Sequence, residues 1–363
     1  MKSMERSRST LLWIGIVFVF VLIIALVTVI ASTRPVKRAT QGVAPTPYTL
    51  HPTSSLSRLL DGVPVADASS TSLAPYAVMV ENSMDAWPLS GPATANVVFE
   101  APVEGAITRF MLLFDPSATT TQIGPVRSAR PYFVEWASAF GAMYAHVGGS
   151  PDALSLIRSI KGFQDLNQFW HGNDFWRSTS RYAPHNVFIS MEKLSAAALK
   201  QEVSTSTFDA WNYSAPMDIG VSAMDIGANA TSVDEIVIPY RGVYEAEWTY
   251  VSSTHLYQRF QHNRPQADAD GSLVYARNVV VMLADSTVLD AIGRLDLQTT
   301  GSGKALLFRD GTVQSGIWQR EKGKTIHFET EEGRDMLFSP GRTWISVVDD
   351  AAGFAKLVDS NSR

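Results

Sequence analysis

The sequence predicts an α+β protein in which a mixed α/β domain precedes a mainly antiparallel all-β domain, with a transmembrane helix at the N-terminus. Three observations predict this class: a long uncharged apolar run near the start, buried strands mixed with capped helices in the first half, and period-two alternation of apolar and polar residues in the second half. The predicted order is a cytoplasmic tail, an anchor, a flexible tether, the α/β domain, a connector, the β domain and a tail, at 1–10, 11–31, 32–73, 74–203, 204–233, 234–350 and 351–363.

The anchor is the run "LLWIGIVFVFVLIIALVTVIA", which contains 21 residues and no charge. At about 1.5 Å per residue it is long enough to cross a bilayer core of about 30 Å. Three basic residues precede the run and three follow it, so the positive-inside rule does not choose an orientation. Because export signals normally lie at the N-terminus, we expect the N-terminus in the cytoplasm and the bulk of the chain outside. The Ser-, Thr- and Pro-rich stretch that follows is typical of a tether.

Charge and cysteine content exclude several classes of function. Residues 1–40 carry a net charge of +5 and the whole chain −5, so residues 41–363 carry −10. An acidic body without a basic stripe argues against a nucleic-acid partner. The sequence contains no cysteine, which excludes disulfides, thiol catalysis and thiolate zinc sites. No complete cofactor motif is present, and we predict no cofactor.

In the α/β domain, apolar runs predict strands at 76–81, 96–102, 107–115 and 143–148. Helical periodicity predicts helices at 129–142, 150–159 and 191–203. Ser150 followed by Pro151 is the expected start of the second helix, as N-cap and first helical residue. For the first helix we expect Ser128 as the N-cap, because Pro131 is tolerated only in a first turn.

In the β domain, alternation at 243–250 predicts a strand with one wet face, and Asp310-Gly311 predicts a hairpin turn. The stretch "TTGSGKA" at 299–305 resembles a phosphate-binding loop only superficially. Gln298 and Ala305 occupy positions that such a loop reserves for Gly and Ser or Thr, so a Gly-rich turn is expected instead.

The stretch "GPVRSARPYF" at 124–133 places two arginines, Arg127 and Arg130, near the predicted start of a helix. Cations are disfavoured there because the helix dipole is positive at its N-terminus. A negative partner is therefore expected, and two alternatives remain open: internal pairing with Glu100 and Glu104, or an anionic ligand. As residues four apart on one strand, those two glutamates would share a face.

The candidate ligand-binding residues are polar side chains and glycines at strand ends and helix starts, where sites of α/β proteins usually lie. In "HVGGSPDAL" the backbone N–H groups at a helix start are well placed for an anion. The full set is Glu100, Glu104, Arg109, Arg127, Arg130, His146, Gly148, Gly149, Ser150, Arg177, Arg181, His185 and Asn186.

No metal site and no catalytic residue is assigned from the sequence. His146, His171, His185 and Asp174 are suitable ligand types, but no pair has the i,i+4 spacing of a helical metal motif. An aromatic run at 169–182 is compatible with a stacking wall for sugars or peptides. A place in the core is the favoured interpretation, because large aromatics dominate core burial.

Several of these blocks, in the same order, resemble the YerB-like family of bacterial envelope lipoproteins, a family of unknown function with an N-terminal and a C-terminal part. The resemblance covers about 74–350 and rests on "YAVMVENS", "VVFEAPVEGAITRFMLLF", "IGPVRSARPYF", "HVGGSPDAL", "FWRSTSRYAPHN", "TGSGKALLF" and "PGRTWISVV". It implies export to the outer side of the cytoplasmic membrane. Two departures stand out: the lipidated cysteine is absent, so the apolar span would replace it, and Ala106 stands where a glycine is expected.

Three functions follow as hypotheses. The leading one is a non-catalytic envelope protein that binds an anionic wall component or an envelope partner through the arginines. The first alternative is an extracytoplasmic hydrolase with His146 or His185 as the base. The second is a protein-interaction scaffold. The absence of a complete catalytic motif favours binding over catalysis.

Overall fold

A computed structural model describes residues 56–214 and 231–360, which belong to one compact unit. The predicted anchor at 11–31, most of the tether and most of the connector lie outside the described residues. Within the described ranges, no helix has both the length and the apolar character needed to cross a membrane.

The first half contributes eight strands and three helices. The strands are β1 (Tyr76–Glu81), β2 (Val97–Pro102), β3 (Thr108–Phe114), β4 (Met143–His146), β5 (Asp165–Asn167), β6 (Trp176–Arg177), β7 (Val187–Phe188) and β8 (Asn212–Tyr213). The helices are α1 (Pro131–Ala139), α2 (Pro151–Ser159) and α3 (Met191–Lys200).

The second half is mainly β, with one helix at its end. Its first strands are β9 (Thr231–Ser232), β10 (Glu235–Ile238), β11 (Ala246–Val251), β12 (Leu256–Gln261), β13 (Arg264–Pro265), β14 (Tyr275–Ala276) and β15 (Asn278–Leu283). The others are β16 (Ser286–Val288), β17 (Leu295–Leu297), β18 (Gly301–Arg309), β19 (Thr312–Arg320), β20 (His327–Thr330), β21 (Leu337–Phe338) and β22 (Thr343–Val348), followed by α4 (Ala351–Ser360).

One mixed sheet of eleven strands unites the two halves. Its order is β20-β19-β18-β15-β22-β2-β3-β1-β4-β5, and β9 adds to β19. The junction lies at β22, which pairs in parallel with β15 on one side and with β2 on the other. The large sheet therefore contains strands from both predicted domains. A separate antiparallel sheet of five strands, β10 to β14, belongs to the second half alone.

The large sheet separates two apolar cores. On one face, α1 and α2 pack through residues such as Trp136 and Ile157, joined farther along by Trp318. On the other face lie the five-stranded sheet, through Trp248, and the helices α3 and α4, through Leu194 and Phe354. Strands covered on both faces are apolar on both, which is why most residues of β1, β2 and β3 are apolar.

The mixed α/β class and the antiparallel sheets of the second half are confirmed, while several local predictions were wrong. Helix α1 has Arg130, not Ser128, at its N-cap, without a side-chain cap bond. Residues 351–360, predicted as a tail, form α4, in which Phe354 and Leu357 are buried. The expected Gly-rich turn at 299–305 mostly belongs to β18. Gly303 is needed there because a Cβ would lie 2.5 Å from both Leu283 O and the Trp318 ring nitrogen.

Candidate functional site

The candidate site lies where two parallel strands of the large sheet separate. β1 and β4 pair from Tyr76↔Met143 to Val78↔Ala145, and beyond this point residues 125–129 run between them. The Arg127 N–H donates to Met79 O at 2.9 Å, and the Val147 N–H donates to Arg127 O at 3.0 Å. We call this place the strand split. Ligands of α/β sheets bind preferentially at the carboxyl ends of strands, at such separations.

Arg109 forms the floor of the strand split. It lies on β3 directly opposite Glu81 of β1, is 6% exposed, and donates from Nη1 to Ser128 O at 2.7 Å. Burial, followed by the nearby charge of Arg130, lowers its pKa to about 10. Its Nε is buried and makes no hydrogen bond with the described residues.

Arg130 is held by an internal partner. Its Nε and Nη2 donate to Glu104 Oε1 and Oε2, both at 2.7 Å, and its Nη1 donates to Ala129 O at 2.8 Å. Burial tends to raise the pKa of Glu104, but the hydrogen bond and charge of Arg130 outweigh it and lower that pKa. For this arginine, internal pairing is the alternative that the structure shows.

Arg127 is bound much more loosely. Its Nε lies 3.2 Å from Glu81 Oε2, and its side chain is 27% exposed. Among the described residues its guanidinium group makes an ion pair but no hydrogen bond, because the Nε approach to Glu81 lacks hydrogen-bonding geometry. Arg127 therefore keeps N–H donors that a ligand can use.

Glu81, at the end of β1, connects Arg127 to a histidine and a serine. It is 3% exposed, and its Oε2 accepts from Ser83 Oγ at 3.0 Å and lies 2.9 Å from His185 Nδ1. Its buried Oε1 has no hydrogen-bond partner in the described chain. Sequence reasoning missed Glu81 and Ser83. A lone glutamate closing the apolar run "YAVMVE" was the available signal.

The charges at the strand split do not cancel. Arg109, Arg127 and Arg130 face two carboxylates, Glu81 and Glu104. Among these five groups one positive charge remains, and Arg127 is the arginine with the most exposed side chain. A partly covered site with surplus positive charge and unused N–H donors favours an anion.

Glu100 does not belong to this cluster. It faces the other side of the sheet, where it is fully buried and paired with Arg259 through Nη2 at 2.8 and 3.0 Å. The expectation that Glu100 and Glu104 share one strand face was wrong, because β2 ends at Pro102 and Glu104 follows in a 3-10 turn.

The "HVGGSPDAL" segment is occupied by internal bonds. His146 is fully buried, with Nδ1 2.6 Å from Gly148 O and Nε2 2.7 Å from Asp165 Oδ1. Ser150 caps α2 as predicted, accepting from the Ala153 N–H, but its own N–H donates to Ala129 O. These groups support the split rather than opening toward a ligand.

The two glycines of this segment allow close packing. Gly148 has φ +57° and lies under the Phe169 ring, which a Cβ there would approach to 2.9 Å. Gly149 packs against Ala129, whose Cβ would lie 3.1 Å from an added Cβ. A side chain at Gly148 would thus displace an aromatic residue beside the strand split.

Arg177, Arg181 and Asn186 lie on the β6–β7 hairpin and stabilise it. Arg177 Nη1 donates to Asn186 Oδ1 at 2.8 Å. Arg181 donates to the carbonyls of Ala86 and Pro88, the second at 2.6 Å. This hairpin carries His185 to the strand split, so the three residues position the site without opening onto it.

Three aromatic side chains of the segment 169–182 are exposed to solvent. Phe169 is 65%, Trp170 79% and Tyr182 92% exposed. The Phe169 ring covers Gly148, and the backbone carbonyl of Tyr182 accepts from the His185 N–H at 3.0 Å. The preference for core positions was wrong for these three, although Phe175 is buried. Exposed aromatics in one region are typical of binding surfaces.

The histidines are dispersed. His171 lies 3.9 Å from Asp174, whereas His146 and His185 have the separate partners described above. In residues 56–214 and 231–360, no group of three or more His, Cys, Asp or Glu side chains is arranged to hold a metal ion.

Comparison with known proteins identifies the family of this chain. The chain matches the model described as "Protein of unknown function (DUF3048) N-terminal domain" over 60–204, and the corresponding C-terminal domain over 236–345. It is 32% identical over 291 residues to "Putative lipoprotein YerB" of Bacillus subtilis (strain 168), covering 78% of this chain and 84% of the relative.

The fold agrees with the sequence match. The crystal structure of the YerB protein from Bacillus subtilis matches with a TM-score of 0.71 at 29% identity, over 82% of this chain and 98% of that one. The resemblance inferred from the motifs is thereby confirmed. Since both domain models match in order and cover most of the chain, the protein belongs to the DUF3048 family, the family of YerB.

Proposed function

We propose that the protein is an extracytoplasmic component of the bacterial cell envelope that binds an anionic envelope ligand at the strand split. Arg127 is its principal contact. The observation that carries the proposal is the different state of the three arginines: Arg130 is bonded to Glu104 and Ala129 O, and Arg109 is buried with one bond to Ser128 O, whereas the Arg127 guanidinium group makes no hydrogen bond with the described residues and is partly exposed.

The location rests on two observations. The relative from Bacillus subtilis carries the name of a lipoprotein, a class tethered outside the cytoplasmic membrane. This sequence has no cysteine to carry a lipid but contains the uncharged run at 11–31, which is long enough to serve as a single-pass anchor. The acidic remainder of the chain would stand away from anionic lipid.

The electrostatics of the split favour an anion over other ligands. Arg127 lies beside the buried cation Arg109, so a ligand carboxylate or phosphate would relieve repulsion between them. Hydrogen bonds between guanidinium groups and such anions are among the strongest in proteins, at about 1.5–3 kcal/mol each. The ion pair with Glu81 holds Arg127 in place before the ligand arrives.

The exposed aromatics favour a polymer over a free ion. Phe169, Trp170 and Tyr182 offer exposed flat apolar faces, that of Phe169 over Gly148 beside the split, and such faces pack against sugar rings or peptide groups. A wall polymer that carries phosphate or carboxylate groups on a repeating backbone combines both features. Candidates are the teichoic acids and the acidic stem peptides of peptidoglycan.

A sedimentation assay tests the proposal. Purified full-length protein is mixed with insoluble cell wall, and the bound fraction is measured for the wild type and for R127Q. We expect R127Q to weaken binding by about tenfold, because it removes a charge-assisted contact. Binding should fall as salt rises, since the contact is partly exposed.

The matched control is R158Q, at an exposed arginine near the end of α2 that lies outside the strand split. It changes the net charge by the same amount and should leave binding within about twofold. Equal affinities for R127Q and wild type, with both proteins folded, would refute the role of the strand split.

One observation favours acid–base catalysis as a second candidate function. Glu81 orients His185 through Nδ1, and among the described residues Nε2 makes no hydrogen bond. A histidine oriented by a carboxylate is a common general base. The same mixture separates the two functions: binding leaves the wall intact, whereas hydrolysis releases soluble fragments in a reaction that H185Q should stop. His146 is the weaker candidate for the base, because it is buried and both its ring nitrogens have partners.

A further inference from the structure

A cavity of about 460 Å³ lies apart from the strand split, between the two halves of the chain. It is bounded by the turn after β1, the loop after β3, and the loop that follows β13. Its lining is rich in hydroxyl groups and contains the amide of Gln122, together with Asp268 and Asp270. This volume suits a small ligand of sugar size.

Asp268 is the buried group of this cavity. It is 7% exposed, and its Oδ2 accepts from the N–H groups of Gly91 at 2.8 Å and Ala93 at 3.1 Å. The other carboxylate oxygen, Oδ1, is buried and has no hydrogen-bond partner among the described residues. A buried carboxylate oxygen without a donor costs free energy, and a ligand N–H group would satisfy it.

The charge of the lining is negative only. Of the residues that line the cavity, two are acidic and none is Lys, Arg or His. A neighbouring cavity of about 360 Å³ shares the wall 119–121 and adds Glu192, again without a basic residue in its lining. Ser90 Oγ accepts from Gln122 Nε2 at 3.0 Å, and Thr94 Oγ1 lies 2.8 Å from Thr120 Oγ1, so these hydroxyl groups keep part of their hydrogen-bonding capacity for a ligand.

We propose that this cavity binds an amino sugar, with the primary ammonium group at Asp268 and the sugar hydroxyls along the Ser- and Thr-rich wall. An ammonium group supplies N–H donors and a positive charge, which matches one unpaired carboxylate oxygen among hydroxyl acceptors. The site is independent of the proposed anion site, because the two share no residue.

A metal ion fits this cavity less well. Ca²⁺ takes about six to eight oxygen ligands and usually several carboxylates. Here Asp268 uses one oxygen on backbone N–H groups, and the exposed Asp270 accepts from the Ser272 N–H at 2.9 Å. No cluster of three metal-ligating side chains occurs in the described part of the chain.

Calorimetric titration of the full chain with D-glucosamine at neutral pH tests the proposal, with N-acetyl-D-glucosamine as the matched ligand that lacks the ammonium group. We expect glucosamine to bind and the acetylated sugar to bind at least about tenfold more weakly. Methylammonium, which has the charge without the hydroxyls, should also bind more weakly than glucosamine.

The matched variant is D268N. Its side-chain oxygen can still accept from Gly91 and Ala93, while its amide group replaces the unpaired oxygen and removes the charge. D268N should keep the fold, checked by thermal unfolding, and lose glucosamine binding by about tenfold or more, whereas D270N should change it much less. Equal binding of the two sugars, Ca²⁺ binding in preference to glucosamine, or undiminished binding by folded D268N would each overturn the proposal.

Discussion

Two charged clusters lie on opposite faces of the same sheet, and they are built in different ways. On one face, Glu100 and Arg259 form a pair that is completely buried. On the other face, Arg127 and Glu81 form a longer ion pair at the edge of solvent. The two glutamates lie on β2 and β1, which are separated in the sheet only by β3, so the sheet itself does not explain the difference. The layer that packs on each face explains the difference. The five-stranded sheet covers the first cluster, whereas the second cluster lies beyond the helices, at the end of the strands.

Side chains from several strands donate hydrogen bonds to the buried pair of Glu100 and Arg259. Thr108 Oγ1 and Trp344 Nε1 each donate to Glu100, at 2.9 and 3.0 Å, and the Arg259 guanidinium carbon lies 4.6 Å from the Trp344 ring centroid. Both carboxylate oxygens thus have donors. Arg259 Nε is buried without a hydrogen-bond partner among the described residues, but Nη1 and Nη2 are both bonded and neither side chain of the pair is exposed. The cluster therefore positions the second half of the chain on the first and is closed to a ligand.

The largest effect is expected where the closed cluster is broken. Arg259→Met leaves the Glu100 carboxylate buried without its cation, and we expect it to lower the free energy of unfolding by about 3–5 kcal/mol. Urea denaturation measures this loss directly.

The double variant E100Q/R259M is the control. It removes both charges, so stability should recover by a large part of the loss seen in R259M alone. A loss below about 1 kcal/mol in R259M would mean that the buried pair does not hold the two halves together.

Local features of the fold were predictable, and pairings over long sequence distances were not. Strand β1 was predicted with its observed bounds, because an apolar run flanked by turn residues has few alternatives. The cap of α2 was also predictable, since Ser150 and Pro151 act on their own helix. By contrast, the parallel pairing of β2 with β22 joins residues 97 and 343, and no local pattern encodes it.

The same reasoning applies to the candidate site. The arginine motif is visible in the sequence, but the partner of each arginine depends on the fold. Glu104 and Arg130 are 26 residues apart and were considered together, whereas Arg259 lies 159 residues from Glu100 and was not considered. Ser128 failed as a cap because the chain around it runs extended between β1 and β4 until Arg130.

Asp268 is an intermediate case. It is buried like Glu100, but only one of its two carboxylate oxygens has hydrogen-bond partners among the described residues. Burial raises its pKa to about 7, although N–H bonds from Gly91 and Ala93 act in the opposite direction. Because the folded-state pKa exceeds the unfolded one, the protonated group stabilises the fold, and this contribution disappears as pH rises from about 4 to about 7.

The side chain of D268N does not titrate, so the stability of this variant relative to the wild type should increase as the pH rises. Between about pH 5 and about pH 8 we expect the difference in unfolding free energy to shift by about 2–3 kcal/mol in favour of the variant. Urea denaturation at both pH values provides the measurement, with D270N as the exposed control. A difference that does not change with pH would show that Asp268 is as fully compensated as Glu100.

The smallest effects on stability are expected at the strand split. Substitutions of Arg127 and Arg130 there allow a direct comparison of the two arginines. R130Q breaks the two-bond contact with Glu104 and should cost about 1 kcal/mol, a value kept low by partial exposure. R127Q should cost less than R130Q, because it removes a single longer contact and Glu81 keeps its bonds with Ser83 and His185. Thermal unfolding of both variants measures the order.

The stability lost in R130Q should also depend on pH. Arg130 lowers the pKa of Glu104 in the folded state, so the stability contributed by this pair is present near neutral pH and is lost as the pH falls through that lowered value. If R127Q proved the more destabilising of the two, Arg127 would be committed to the fold. The unbonded N–H groups of Arg127, which distinguish its cluster from that of Glu100 and Arg259, would then be no evidence for a ligand. A small cost in stability together with a large cost in wall binding is the combination that assigns Arg127 to function.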